Sequence, residues 1–452
     1  MTLLNELSAE VCQRARMSRD PRFDGRFFVA VKTTGIFCRP ICPANLPKEE
    51  NVEYFSSQAL AVSAGYRPCL RCRPESAPHS WAWKGAETTF LRALTLIEQG
   101  ELDGSLETLA SRLGISDRYL RQLFQRHLGM PPKQYAQIQQ LMFAKQLLHT
   151  SQISITEVAY ASGFQSTRRF NDAFQKLFRL TPTQVRRERA ELPSRNHLSL
   201  AFRGPFDWSH MLDFYRLRAI EGMELVDEQS YQRHFVLGEG TGWFKASMAQ
   251  SHLDIEFEME RLSDLRHLVA RLRRMFDLDA DLISIEAHLE QLAPGLVRRT
   301  GIRIPGVWNA WEAGVRAVLG QQVSVKAAIG QLNLLVSTLA ASEGSTRYFP
   351  TPEQVQMSDL SFLRMPERRK ETLKRLADYV RLHPMDSPMA WLSLSGIGPW
   401  TVDYAQLRGE SRSHCFLTGD LIVKKALAKF PQLTAESVAP WGSYATFHCW
   451  SH

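Results

Sequence analysis

Two groups of residues in this chain could do chemistry. The first is four cysteines, Cys38, Cys42, Cys69 and Cys72, spaced C-x3-C, 26 residues, C-x2-C. Close pairs let two thiolates reach one ion from each side, and a tetrahedral shell of four sulfurs is what zinc prefers in a closed site. Gly35 precedes the first pair, Pro40 lies within it, and Pro68 and Pro74 flank the second, as tight metal-binding knuckles require. One zinc ion is therefore expected; the competing reading is four incidental core cysteines. Cys12, Cys415 and Cys449 are scattered and carry no such pattern. The second group lies near the carboxy end, in Leu394-Ser-Gly-Ile-Gly-Pro-Trp-Thr401 and Phe416-Leu-Thr-Gly-Asp420, with Asp420 22 residues after Gly398. A helix should end near Ser393, Gly396 and Gly398 allow a tight hairpin, and Pro399 can open the next helix at its first position. Free backbone amides at such a helix start suit a DNA phosphate, gripped without reading sequence. Trp400 and Tyr404, four apart, share a helix face. Aromatic faces attract cations and stack on flipped bases, with ordinary core packing as the alternative. Asp420 also stands where it would cap a helix beginning at Leu421.

The elements that must carry these residues fall into four segments, 1–75, 85–190, 197–295 and 300–452. The breaks are a linker over 75–85, Leu192-Pro-Ser-Arg-Asn-His197 after the charge run 186–189, and a weaker boundary from Pro294-Gly295 to Pro305-Gly306. In the first segment, Phe27–Val31 after the Asp24-Gly25 turn signal predicts a strand. The second is helical and repeats one pattern twice. In Glu107–Gly129, Leu109, Ala110 and Leu113 form an apolar face, Gly114 permits a turn and Ser116 can cap the next helix. Tyr119, Leu120, Leu123, Phe124 and Leu128 then recur at helical spacing, leaving Arg118, Gln122 and Gln125 off that face, where groove-reading side chains sit. The pattern returns over Ile155–Leu180, with Gly163, the cap candidate Ser166, Phe170, Phe174, Leu177 and Phe178 inward and Arg168, Arg169 and Asn171 exposed. The third segment predicts short strands at 235–237 and 253–257 and an Arg-rich helix around 262–276; the fourth is helical again.

Composition sets the bounds. At 452 residues, 44% hydrophobic and 23% charged, the chain reads as ordinary globular material too long for one core. It shows no long apolar run for a membrane and no apolar signal core in the first twenty residues, so a cytoplasmic location is expected. Through residue 192, 26 Lys and Arg face 18 Asp and Glu; the remainder holds 29 of each. A basic half beside a neutral half fits a polyanion partner, although a basic soluble surface would read the same way.

Residues 19–74 resemble the amino-terminal domain of the Ada adaptive-response regulators. The resemblance rests on Arg19-Asp20, Asp24-Gly25, Val31 to Pro40 (Val-Lys-Thr-Thr-Gly-Ile-Phe-Cys-Arg-Pro), Cys42, Glu50-Asn-Val52, Gly65-Tyr-Arg-Pro-Cys69 and Cys72. It implies that Cys38 takes a methyl group from a DNA methylphosphotriester, with Cys42, Cys69 and Cys72 as fellow zinc ligands and Thr34 and Arg67 near the DNA. Asn45 departs from that family, which has a basic residue there. The tandem helical pairs, ending in Leu180-Thr-Pro182, resemble the AraC/XylS DNA-binding domain. From about Leu198 to Trp450 the chain resembles the AlkA-type branch of the helix-hairpin-helix glycosylases. The matching text includes Gly204-Pro-Phe-Asp-Trp208, Phe276-Asp-Leu278, Ile304-Pro-Gly306, Trp311 to Ser324 and Phe349-Pro-Thr-Pro352, besides the hairpin and Asp420.

That last resemblance implies that Asp420 is the catalytic aspartate, stabilising positive charge on the sugar as the glycosidic bond breaks. It adds Trp450 and Phe214 to the base pocket of Trp400 and Tyr404, and places Gln322 where the family has a leucine that fills the gap left by a flipped base. Gly419 and Leu421 replace an acidic and an aromatic residue of the family pattern. Trp400 stands where strand-cutting members carry a lysine nucleophile, so no Schiff base is expected. The Pro-Cys-His-Arg sequence of an O6-alkylguanine transferase is absent, so that reversal is not expected. The fold class expected is multidomain α+β: a small zinc-binding α/β domain, an all-α tandem helix-turn-helix domain, an α+β TBP-like subdomain and an all-α helix-hairpin-helix glycosylase domain. Double-stranded DNA, both alkylated and promoter DNA, and RNA polymerase are the expected partners. Two further readings stand beside this one: a regulator whose carboxy-terminal half has lost catalysis, and a zinc domain that is inert scaffold.

Overall fold

A computed structural model describes residues 7–20, 23–72, 74, 81–98, 100, 102, 105–187, 196–339, 342–344, 346–384 and 386–451. The chain forms two compact units, Met1–Gln139 and Gln140–His452.

In the first unit, helix α1 (Ala9–Met17) is followed by a four-stranded sheet in the order β3-β1-β2-β4, made of β1 (Phe28–Val31), β2 (Ile36–Cys38), β3 (Val52–Phe55) and β4 (Arg67–Pro68), with helix α2 (Gln58–Ser63) between the last two. The predicted strand at 27–31 is β1. It pairs antiparallel with β2 and β3, while β2 and β4 run parallel. Alternate residues of β1, together with Phe27 just before it, feed two small cores: Phe27 and Val29 pack with Cys12 and Ala15, Phe28 and Ala30 with Phe37 and Ala61. Helices α3 (Trp81–Glu98), α4 (Leu106–Arg112) and α5 (Asp117–Leu128) follow, and α6 (Pro132–Thr150) runs across the division of the chain. Ser116 caps α5 as expected, accepting from the Tyr119 N–H at 3.2 Å. Tyr119 itself is not inward. It sits in the first turn with the charged Arg118 and is 38% exposed. The linker expected over 75–85 gives way to helix from Trp81, and residues 75–80 lie outside the described residues.

In the second unit, α7 (Ile155–Ala161), α8 (Thr167–Phe178) and α9 (Pro182–Arg187) complete the second helical pair. Ser154 and Glu157 form a reciprocal capping box on α7. Ser166 occupies the N-cap position of α8, but its hydroxyl makes no capping hydrogen bond; Leu177, in the last turn, is 39% exposed and not inward. Most of the break expected at 192–197 lies outside the described residues. Strands β5 (His197–Ala201), β6 (Glu224–Val226), β7 (Ser230–Leu237), β8 (Gly240–Met248) and β9 (His252–Met259) form an antiparallel sheet ordered β5-β9-β8-β7-β6, with α10 (Trp208–Arg216) between β5 and β6. The two predicted strands are parts of β7 and β9. Helix α11 (Leu265–Met275) is the predicted Arg-rich helix, and its Leu265, Leu268 and Leu272 enter one core with Phe244, Phe257, Phe170 and Phe174.

The rest of the chain is α12 (Leu282–Leu292), α13 (Ala310–Gly320), α14 (Val325–Leu339), a two-stranded hairpin β10 (Ser342–Glu343) and β11 (Thr346–Arg347), α15 (Pro352–Met357), α16 (Glu367–Leu382), α17 (Pro399–Glu410), α18 (Leu421–Leu427) and α19 (Gly442–Trp450). The small hairpin means this part is not purely helical. Packing also crosses the weak boundary expected at 294–306, because Leu282, Ile285 and Leu289 of α12 share a core with Leu407, Phe416 and Tyr444. No helix among the described residues is long and apolar enough to cross a membrane.

At this junction Asp277 is half-buried at a positive φ of 53°, accepting from Tyr444 Oη at 3.0 Å and from the Ile304 N–H at 3.2 Å. Burial pushes its carboxyl up to about 7, against those hydrogen bonds and the nearby Arg303 charge. An unfolded aspartate titrates near about 4, so the native state keeps its proton longer than the unfolded chain does. The stability from this group is therefore complete below about 4 and lost as pH rises through about 7. Asp277→Asn is expected to flatten the fall in melting temperature across that window, measured by calorimetry beside the unsubstituted protein. An unchanged slope would remove Asp277 from the account.

Candidate functional site

The second unit holds a cavity of about 480 Å³ whose wall includes Phe214, Arg218, Trp400, Tyr404, Asp420 and Trp450, within the size range of ligand pockets. These residues arrive from several separate elements. Pro399 opens α17 and puts Trp400 and Tyr404 one turn apart, stacked with centroids 5.3 Å apart and planes at 26°. Phe214 comes from α10 and Trp450 from the last turn of α19, their rings 6.2 Å apart and nearly parallel at 14°.

Asp420 is the N-cap of α18, so capping and cavity lining belong to the same carboxylate. Its Oδ1 accepts from the Ile422 N–H at 2.9 Å, the Val423 N–H at 3.1 Å and Trp450 Nε1 at 3.0 Å. Among the described residues Oδ2 receives none of these bonds. One oxygen is thus held by three donors, which fixes the plane of the carboxylate.

The hairpin before α17 is built as its glycines require, with one difference: the preceding segment, Pro388–Ser393, is a 3-10 helix. Gly396 adopts φ +92°, and a Cβ there would overlap the Thr372 hydroxyl of α16, so only glycine fits. Gly398 faces open space as the N-cap of α17. Gln322 is exposed, at φ 56°, on the loop after α13 and does not line the cavity. Its neighbour Gln321 ties this loop to the hairpin, Nε2 donating to the Gly396 carbonyl and to Thr401 Oγ1, each at 3.2 Å. Sequence reasoning missed Gln321, and it missed Arg218, although Arg218 stands four residues after Phe214.

In the first unit the four cysteines converge: the sulfurs of Cys38, Cys42, Cys69 and Cys72 all lie within 4.8 Å of one another. A tetrahedron of zinc–sulfur bonds of about 2.3 Å needs edges of about 3.8 Å, so the residues fit one zinc ion. The thiols fit it electrostatically as well. The hydrogen bond between Cys38 and Cys72 holds the Cys72 thiol down and, with burial and the neighbouring sulfurs, pushes the Cys38 thiol up. Left to themselves the four sulfurs compete for negative charge; a dication lets all four be thiolates. Arg39 braces the knuckle, its backbone N–H 3.4 Å from Cys72 Sγ and its guanidinium paired with buried Asp24. Thr34 and Arg67 lie exposed at one end of the same sheet, where the Arg67 N–H donates to the Gly35 carbonyl at 2.9 Å. The scattered cysteines are buried, and burial pushes Cys415 and Cys449 up to about 12, away from the thiolate form that a nucleophile or metal ligand needs. Arg118 and Gln122 of α5 and Arg168 and Arg169 of α8 are all exposed.

Family models match three stretches: the metal binding domain of Ada over residues 11–75, a helix-turn-helix domain over 109–188 and the AlkA N-terminal domain over 197–309. Over 475 aligned residues the chain is 34% identical to the probable bifunctional transcriptional activator/DNA repair enzyme AlkA of Mycobacterium tuberculosis, covering 98% of this chain and 96% of that one. It is 34% identical to DNA-3-methyladenine glycosylase 2 of Escherichia coli over 56% of this chain and 96% of that protein. It is 35% identical to the bifunctional transcriptional activator/DNA repair enzyme Ada of Escherichia coli, over 38% of this chain and 47% of Ada.

Proposed function

We propose, from the premise that this chain belongs to the family of bifunctional transcriptional activator/DNA repair enzymes of the AlkA type, that it excises alkylated bases from DNA with its second unit and senses methylated DNA backbone with its first. The observation that carries the reading is Asp420 held by three donors inside the same cavity as Phe214, Trp400, Tyr404 and Trp450. A base alkylated on a ring nitrogen is cationic and leaves readily. As its bond to C1′ breaks, the electron pair goes to the base, which departs neutral. The sugar becomes cationic and Asp420 stabilises it. Water adds its oxygen to C1′ and gives its proton to the carboxylate or to solvent. The four aromatic rings hold the cation before cleavage and bind the neutral product less well. Among the described residues no lysine lines the cavity, which supports hydrolysis without strand cleavage. Gly396 and Gly398 present backbone N–H groups to a phosphate, and Gln322 fills the gap in the duplex.

In the first unit Cys38, Cys42, Cys69 and Cys72 hold one zinc ion. Bound there, zinc keeps the sulfurs deprotonated and nucleophilic at neutral pH. Cys38 attacks the methyl carbon of a methylphosphotriester. An S–C bond forms, the C–O bond breaks, its electron pair stays on the phosphate oxygen and a thioether remains. As a thioether Cys38 carries no negative charge, which would remove a repulsion against the DNA backbone. Thr34 and Arg67 contact that backbone, Arg118, Gln122, Arg168 and Arg169 read promoter grooves, and RNA polymerase is the partner in activation.

One incubation with chemically methylated duplex DNA tests both halves. Free 3-methyladenine is expected in the filtrate, with strands intact until alkali is added, and the peptide holding Cys38 is expected heavier by one methylene. Absence of free base would overturn the excision reading; an unmodified Cys38 would reduce the zinc domain to scaffold.

A further inference from the structure

Arg218 is a cation inside the cavity that the excision chemistry above does not use. Its guanidinium carbon lies 3.7 Å from the centroid of the Phe214 ring, and its Nη1 donates to the Phe214 carbonyl at 3.2 Å. Among the described residues no carboxylate lies within ion-pairing distance of it. The other arginines nearby have partners: Arg408, whose guanidinium carbon also lies 4.7 Å from the Phe214 centroid, bonds Tyr404 Oη at 2.8 Å and the Pro305 carbonyl, Arg316 pairs with Glu312 and Glu224, and Arg299 pairs with Asp207. Arg316 also donates to the Arg218 carbonyl at 3.0 Å, which fixes the backbone that aims this side chain. Burial, together with the Arg408 and Arg316 charges, pushes Arg218 down to about 10, so it is still protonated at neutral pH. A guanidinium carries five N–H donors in a planar fork. Here it stacks on a ring that should also receive the flipped base.

We infer that Arg218 is the specificity-determining residue that sets the balance between cationic and neutral leaving bases in this cavity. The inference rests on the excision reading above. A cationic base meets like charge at Arg218, which weakens the hold of the aromatic rings on it. A neutral modified purine gains instead. When its bond to C1′ breaks, the electron pair makes the base an anion, and the N–H groups of Arg218 stabilise that charge until the base takes a proton from water. Asp420 acts on the sugar in both cases.

The test measures release of 7-methylguanine, a cationic base in DNA, and of hypoxanthine, a neutral purine, from otherwise identical duplexes. The proteins compared are the full-length chain, Arg218→Gln and Arg218→Ala, with folding checked by thermal unfolding. The ratio of hypoxanthine to 7-methylguanine release is expected to fall by about tenfold or more in both variants, the scale of one hydrogen bond to a charged group. A ratio left unchanged while both rates fall makes Arg218 a structural residue and overturns the inference. So does an unsubstituted protein that releases 7-methylguanine but no hypoxanthine. Release of neither base by the unsubstituted protein would instead overturn the excision reading itself.

Discussion

Glu312→Ala is expected to destabilise the second unit by about 3–5 kcal/mol, the cost of removing one partner from a buried ion pair. Glu312 lies in the first turn of α13 and takes both Arg233, at 2.5 Å, and Arg316, at 2.9 Å, while Glu224 takes the same two arginines at 2.8 and 3.3 Å. The side chains are between 1% and 6% exposed, so water screens little of the interaction. Burial alone would raise the Glu312 carboxyl, yet the two arginine charges outweigh it and hold it down at about 2. Two acids and two bases balance. Deleting Glu312 leaves two cations sharing one acid where solvent cannot reach. The strands that supply Glu224 and Arg233 then keep only the Glu224–Arg316 pair, at 3.3 Å, as an electrostatic tie to the helix that supplies Arg316. Denaturant unfolding reads the effect, and a double change of Glu312 and Arg233 to apolar residues is expected to recover part of the loss. A Glu312→Ala protein within about 1 kcal/mol of the original would mean the network is solvated and does not hold the two elements.

This network was invisible in the sequence. Charged residues on a strand or helix read as a solvated face, and nothing local says that Glu224 and Arg233 will meet a helix some eighty residues later. What sequence exposed were devices with short-range grammar: two cysteine pairs with their prolines, the Ser116 cap, and the Gly-x-Gly-Pro hairpin, each of which the structure forms. Asp420 was legible twice, as a cap and through the family resemblance. Phe214 and Trp450 came only from that resemblance, because α10 and α19 are brought to α17 by tertiary packing. The strands were only partly legible. Gly240 and Gly242 weaken the signal of β8, yet a Cβ at Gly242 would strike the Glu258 carbonyl and the Phe235 ring, so the glycine that hides the strand from sequence is required by the sheet. Helical periodicity also overreached: Tyr119 and Leu177 fit an apolar stripe but sit in end turns, where the helix leaves the core.

Asp420→Asn is expected to lower base release by at least about a hundredfold, the scale of losing one preorganised group that stabilises developing charge. Its effect on folding should be small. Asparagine is as good an N-cap as aspartate, and its oxygen can accept from the Ile422 and Val423 N–H groups and from Trp450 as Oδ1 does now. The substitution therefore removes charge while keeping geometry. The pairing of a retained fold with lost excision separates the catalytic reading of this residue from a capping role alone.

The most direct measurement is single-turnover release of 3-methyladenine from methylated duplex DNA by the full-length protein and by Asp420→Asn, followed by chromatography, with melting temperatures taken on the same preparations. Release by the first protein, and release slowed at least about a hundredfold in an equally stable second, is the predicted result. Equal release by both would contradict the account, since the carboxylate would then be a helix cap that happens to face a cavity.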